Sequence, residues 1–220
     1  MLVAGVDEAG RGCVIGPLVV AGVLVDDSRL PELAALGVKD SKLLSARRRE
    51  ALLPGILGLA VKHVVLRVSP VEVDRWVESH RRLHKLNRLE AEVMGRVVTA
   101  LEPDVAYVDA ADVWAGRFGQ HVVEASVFKT RVVSEHKADR TYPVVSAASI
   151  IAKVERDGAV AALRGKFGDF GTGYLADSRT VAFLSSWLRT HEDYPECVRK
   201  SWKPAKLAKS LRGTTQTKLL

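Results

Sequence analysis

Two adjacent carboxylates, Asp7 and Glu8, end the apolar run LVAGVDE; Asp109 ends a second, VAYVD; and Asp139 stands in SEHKADRTYP, a few residues ahead of a helical stretch. An ionised carboxylate inside an apolar strand costs several kcal/mol unless a cation or hydrogen-bond donors compensate it, so Asp7 calls for a partner. Glu8 taken alone reads as a strand-end acid facing water, because neighbouring strand residues point to opposite faces. The two can share a site only if the chain bends, which Ala9 and Gly10 permit. Asp109 repeats the pattern and, from a neighbouring strand, could lie beside Asp7. Asp112 reads as the cap of the next turn, and simple capping also accounts for Asp139 taken alone. Together, acids at element ends, with no cysteine or histidine spacing that suits zinc, point to hard oxygen ligands for Mg2+ or Mn2+. Two such ions about 4 Å apart would activate water and stabilise the leaving oxygen in phosphodiester cleavage.

Other chemistries fit less well. Gly10, Gly12 and Gly16 of GVDEAGRGCVIGP follow a strand, as in a dinucleotide fingerprint, but that fingerprint opens a helix, and here Pro17 and a valine-rich strand follow. Asp7 and Glu8 would also repel a phosphate bound without a metal. No serine stands in a nucleophile elbow, and Cys13 has no recognisable base beside it. His136 is near Asp139 in sequence but reads as a surface histidine.

These residues must be held by a mixed α/β framework. Residues 2–7 and 17–26 read as two strands joined by a glycine turn, hence antiparallel. SARRREALLPGILGL is an amphipathic helix that Pro54 should interrupt or kink, and VKHVVLRVS is a third strand closed by Pro70. Asn87, the only asparagine, with Glu90 three residues on, predicts a capping box opening the helix RLEAEVMGRVVTALE. VAYVDAAD is a buried strand reached by a parallel crossover, and VVEASVF is a fifth. YPVVSAASIIAKVERDGAVAALRGKF reads as one long helix with Pro143 in its first turn, its SAAS segment small enough to lie close on the sheet. The glycine-rich GDFGTGYLAD then leads into a helical, increasingly basic C-terminal part.

The chain has 220 residues, 47% of them hydrophobic, enough for one substantial core. Neither a signal segment nor an eighteen-residue apolar window is evident, and Cys13 and Cys197 are the only cysteines, so a reduced, cytoplasmic chain is expected. The net charge of +7 favours a polyanionic partner, and from Pro195 onward there are seven Lys or Arg with no acid after Glu196. Scarce amides, one Asn and two Gln, fit a thermophilic source and a melting temperature above about 60 °C.

GVDEAGRGCVIGPLVVAGV, KDSKLLS, YVDAAD, EHKAD, YPVVSAASIIAKVERD, GTGY and VRKSWK occur in the order seen in type 2 ribonucleases H, and the chain most resembles the archaeal branch over roughly residues 2–203. The resemblance implies an RNase H-like α/β fold: a mixed five-stranded sheet flanked by helices, with a C-terminal helical extension. It implies a catalytic domain over residues 1–176 and a packed helical extension and basic tail over 177–220. The implied activity is metal-dependent endonucleolytic cleavage of RNA in RNA/DNA hybrids, and 5′ of single ribonucleotides embedded in duplex DNA, leaving 3′-hydroxyl and 5′-phosphate ends in the service of replication and repair. By the same resemblance Asp7, Glu8, Asp109 and Asp139 hold two Mg2+ or Mn2+ ions. Gly10, Arg11 and Gly12 read the ribose 2′-hydroxyl, Tyr174 stacks on the next sugar, and Ser41 and Lys42 lie near the substrate backbone. The last residues, QTKLL, faintly resemble a sliding-clamp-binding peptide; a monomer without membrane association is the default. Two rivals remain. Another RNase H-like nuclease would use similar acids on all-DNA substrates, and a non-catalytic hybrid-binding module would suit the basic tail but not the buried acids.

Overall fold

The computed structural model describes residues 1–38, 43–79 and 85–216. Its described residues form two compact units. The first takes in the described residues of Met1–Ala9, Val19–Arg67 and Leu83–Glu155; the second takes in those of Gly10–Leu18, Val68–Arg82 and Arg156–Leu220.

The first unit carries a mixed five-stranded sheet in the order β3-β2-β1-β4-β5. β1 (Leu2–Ala9) pairs antiparallel with β2 (Leu18–Asp26), as the glycine turn between them requires. β4 (Val105–Asp109) lies parallel to β1 on its other side, and β5 (Arg131–Glu135) parallel to β4. The crossover from the β1 side runs through α4 (Lys85–Leu101), and α5 (Ala115–Ala125) joins β4 to β5. β3 (Lys62–Val68) closes the far edge, where Ser69 caps the next helix in a capping box with Glu72 and Pro70 takes its first position.

Glycines at the sheet set how closely helices approach. A Cβ at Gly5 would run into the Val144 and Val145 backbone of α7 (Pro143–Phe167). The small residues Ser146, Ala147, Ala148 and Ser149 are fully or nearly fully buried, so α7 does lie close on the sheet. On the opposite face Gly22, the register partner of Val6, leaves room for Val97 and Leu101 of α4. The core of this unit joins Val3, Val19, Val23 and Val25 of the strands to Val144, Val145, Ile150 and Ile151 of α7.

Three expectations are corrected. α2 (Ala46–Leu59) is not interrupted by Pro54, which lies inside it. VVEASVF is not a strand: Phe118 and Val122, four residues apart, are buried on one face of α5, whose helical period prevails over the β-branched pair, and the fifth strand is RVVSE. Asn87 does not cap α4 but lies inside it, with its side chain hydrogen-bonded to Asp112.

In the second unit Val14, Ile15, Val160, Phe170, Leu184, Leu188, Tyr194, Cys197 and Val198 form a separate core. It draws on the loop after β1, the C-terminal half of α7, α8 (Ser178–Thr190) and the start of α9 (Lys203–Gln216).

Candidate active site

The sheet brings the acids of the first unit together. Val6 of β1 lies opposite Val108 of β4, so the next residues, Asp7 and Asp109, leave adjacent parallel strands at one level. Asp7 is only 4% exposed. It accepts a hydrogen bond from the Glu8 amide at 2.7 Å and another from Ser149 of α7, and Ser149 in turn receives the Lys153 ammonium one helical turn on. Burial nevertheless holds the Asp7 carboxyl above the usual carboxylate range, with the charge of Asp139 adding to the effect and Lys153 opposing it.

Asp109 accepts the Ala138 amide at 2.9 Å, which ties the end of β4 to the short helix carrying Asp139. Lys137, in the left-handed region at φ 59°, turns the chain from β5 into that helix. Asp139 is 2% exposed and neither of its carboxylate oxygens has a hydrogen-bond partner, so capping does not account for it. The Glu8 side chain meets that of Asp7 in a hydrogen bond, and one of its buried carboxylate oxygens has no partner. Its carboxyl is pushed well above its usual range by burial, and further by Asp7, Glu90 and Asp109.

Among the described residues no group of three or more His, Cys, Asp or Glu side chains is closed around a point that could hold an ion. What is present is a set of buried carboxylates within reach of one another's charge, with oxygens that no protein donor satisfies. Such groups are expensive to keep ionised, and a hard divalent cation is the partner that oxygen-only donors fit.

Lys153 was a weaker candidate in the sequence, set against a pair with Asp157 along its own helix. Two other neighbours were not evident there as site residues. Ser149 read only as a small packing residue. Glu90, expected at a helix start, is fully buried and acts on Glu8. Asp112 does cap the next turn, accepting the Trp114 amide at 3.1 Å, but it also accepts the Arg117 guanidinium and the Asn87 side chain, and together these pull its carboxyl well below the usual range although burial opposes them. His136 is exposed and shares a hydrogen bond with the Val113 carbonyl.

The glycine turn and the tyrosine belong to the second unit, which brings them together. A Cβ at Gly12 would lie 3.9 Å from the Tyr174 ring. Gly10 takes φ +84°, and a Cβ there would meet the Pro17 carbonyl oxygen at 2.5 Å, so the tight turn requires glycine. The Gly173 carbonyl accepts the Val14 and Ile15 amides at 2.8 and 3.1 Å, locking GTGY onto the segment after the turn. The Arg156 guanidinium, nearly buried, donates to the Thr172 carbonyl and lies over the Tyr174 ring at 4.7 Å. Half-buried Tyr174 has its phenol pushed up by burial, with Arg156 opposing, so it stays protonated at neutral pH. Ser41 and Lys42 lie outside the described residues.

Against known proteins, the family model described as Ribonuclease HII matches residues 4–205. The chain belongs to the ribonuclease HII family. It is 47% identical to the ribonuclease HII of Thermococcus kodakarensis over 208 residues, covering 94% of this chain and 89% of that protein. The crystal structure of ribonuclease H2 from Pyrococcus horikoshii superposes with a TM-score of 0.88 at 41% identity, covering 96% of this chain and 98% of that one. The ribonuclease HII of Archaeoglobus fulgidus, solved as a PCNA complex, gives a TM-score of 0.82 at 46% identity, covering 92% and 96%. Family membership makes the protein a hydrolase of the type 2 ribonuclease H class and accounts for its mixed five-stranded sheet.

Proposed function

We propose that this ribonuclease H cleaves the RNA strand of RNA/DNA hybrids and the phosphodiester 5′ of a single ribonucleotide embedded in duplex DNA, leaving 3′-hydroxyl and 5′-phosphate ends. The observation that carries the reading is the convergence of Asp7, Asp109 and buried Asp139 at the ends of adjacent elements, where neither carboxylate oxygen of Asp139 has a hydrogen-bond partner. Asp7, Glu8, Asp109 and Asp139 would hold Mg2+ or Mn2+, as two ions during catalysis. Bound there, divalent ions would supply Lewis-acid activation of water and stabilisation of the leaving oxygen.

The protein's own residues supply the positioning. Ser149 and Lys153 hold Asp7 in place and bring one positive charge to an otherwise acidic cluster. The Ala138 amide fixes the orientation of Asp109. In the second unit the close-packed Gly10-Arg11-Gly12 turn gives backbone groups access to a 2′-hydroxyl, the group that separates RNA from DNA at a single nucleotide. Tyr174, held flat under Arg156, offers a face for the following sugar.

Asp7→Asn and Asp109→Asn should each lower turnover on a hybrid at least about a thousandfold while leaving hybrid affinity within a few-fold. Full activity in either variant would overturn the reading. Clamp binding through the C-terminal residues is the second part of the proposal, favoured by the PCNA complex of the Archaeoglobus relative. Titration of a tail peptide against the source's clamp tests it, and no binding at high micromolar concentration would remove it.

A further inference from the structure

The segment VRKSWK has no part in the chemistry described so far, yet it carries the largest fully buried side chain among the described residues, Arg199. A buried guanidinium is costly unless its donors are satisfied. Arg199 turns them onto a single turn: Nη2 donates to the Gly10 carbonyl at 2.6 Å, Nη1 to the Arg11 carbonyl at 2.7 Å and Nε to the Gly16 carbonyl at 3.3 Å. Trp202 lies against the other side, with its ring 4.9 Å from the guanidinium carbon. The backbone repeats the link, since the Arg199 amide donates to the Val14 carbonyl at 2.8 Å and the Gly16 amide to the Cys197 carbonyl at 2.9 Å. All of these residues belong to the second unit.

A trans peptide is planar, with its C=O and N–H on opposite sides. Drawing the Gly10 and Arg11 carbonyls towards Arg199 therefore turns the amides of Arg11 and Gly12 away from it, and Gly12 is exposed. We propose that Arg199 is a positioning residue for ribose recognition: from behind the turn it fixes the direction in which the Arg11 and Gly12 amides face a ribonucleotide. The planar fork of arginine spans three carbonyls at once, whereas a lysine ammonium, a single point of charge, cannot hold all three in one geometry. The proposal rests on the reading of the turn given above, and the experiment separates the two.

In EDTA, where cleavage is suppressed, affinities are measured for two duplexes identical except for one ribonucleotide, using the full chain, Arg199→Lys and Trp202→Leu, with each fold checked by circular dichroism. The unaltered protein should prefer the ribonucleotide duplex. Arg199→Lys should reduce that preference about tenfold, the equivalent of one charge-assisted hydrogen bond, with all-DNA affinity unchanged. Trp202→Leu should reduce it less. If the unaltered protein shows no preference, the reading of the turn fails, and this proposal with it. A preference that survives in Arg199→Lys, or affinities for both duplexes falling together, would leave Arg199 a structural staple and overturn the proposal alone. Should Arg199→Lys not fold, Trp202→Leu decides: a reduced preference supports the proposal and an unchanged one overturns it.

Discussion

At the scale of single residues, the proposed site combines carboxylates that the protein holds, Asp7 and Asp109, with oxygens of Glu8 and Asp139 that it leaves without a donor. Asp139 shows this most sharply, because it is buried and neither oxygen has a hydrogen-bond partner. Replacing it with an amide of the same shape removes an uncompensated charge, so Asp139→Asn should be inactive yet, in EDTA, at least as stable as the parent, by about 1 kcal/mol or more in thermal or denaturant unfolding. A marked loss of stability would mean that Asp139 is a structural group. Asp7 and Asp109 stood out in the sequence because a charge within an apolar strand is anomalous on its face, whereas Glu8 and Asp139 taken alone read as a solvent-facing acid and a cap, and only the family resemblance singled them out. Ser149 and Glu90 were not legible, since both residue types pass unnoticed in a helix and their roles depend on which helix face meets β1, a tertiary fact. Asn87 misled for a related reason: its spacing to Glu90 matches a capping box, but its side chain serves Asp112.

The elements hold these residues through two close approaches. At the first, α7 runs against Gly5, so Gly5→Ala forces a methyl group onto backbone that cannot yield, and should destabilise by about 2–3 kcal/mol or more in thermal unfolding. A neutral effect would mean that α7 is free to move off the sheet. At the second, buried Asp112 joins α4 and α5 to the loop after β4, three residues beyond Asp109. Breaking its pair with Arg117 in Asp112→Asn should cost about 3 kcal/mol at pH 7 by denaturant titration. The Asp112 carboxyl is held below its unfolded value, so its contribution is complete above the unfolded pKa of about 4 and is lost as the pH falls towards the folded value. The gap between parent and variant should therefore narrow between about pH 5 and pH 2, and a gap that widens in acid would contradict the pairing. β1, β2, β3, β4 and α7 were readable from period and punctuation. β5 was missed because RVVSE is short and charged at both ends, while the valines of α5 imitated a strand.

For the whole molecule, a charge of +7 and a basic C-terminal segment suit a polyanionic substrate, and among the described residues no helix is long and apolar enough to cross a membrane. Neither property identifies a substrate; the motifs do, and their order along the chain made the family legible before any coordinates. The second unit was less legible, because three distant segments, 10–17, 171–174 and 197–199, meet only in the fold. The most direct test is cleavage of a DNA duplex containing one ribonucleotide, beside its all-DNA control, with Mg2+, Mn2+ or EDTA and the cut mapped on a gel. A single cut 5′ of the ribonucleotide, present with a divalent ion and absent in EDTA and in the control, is the predicted result. Cutting of the all-DNA control, or no cut with either metal despite duplex binding, would contradict the proposed reaction.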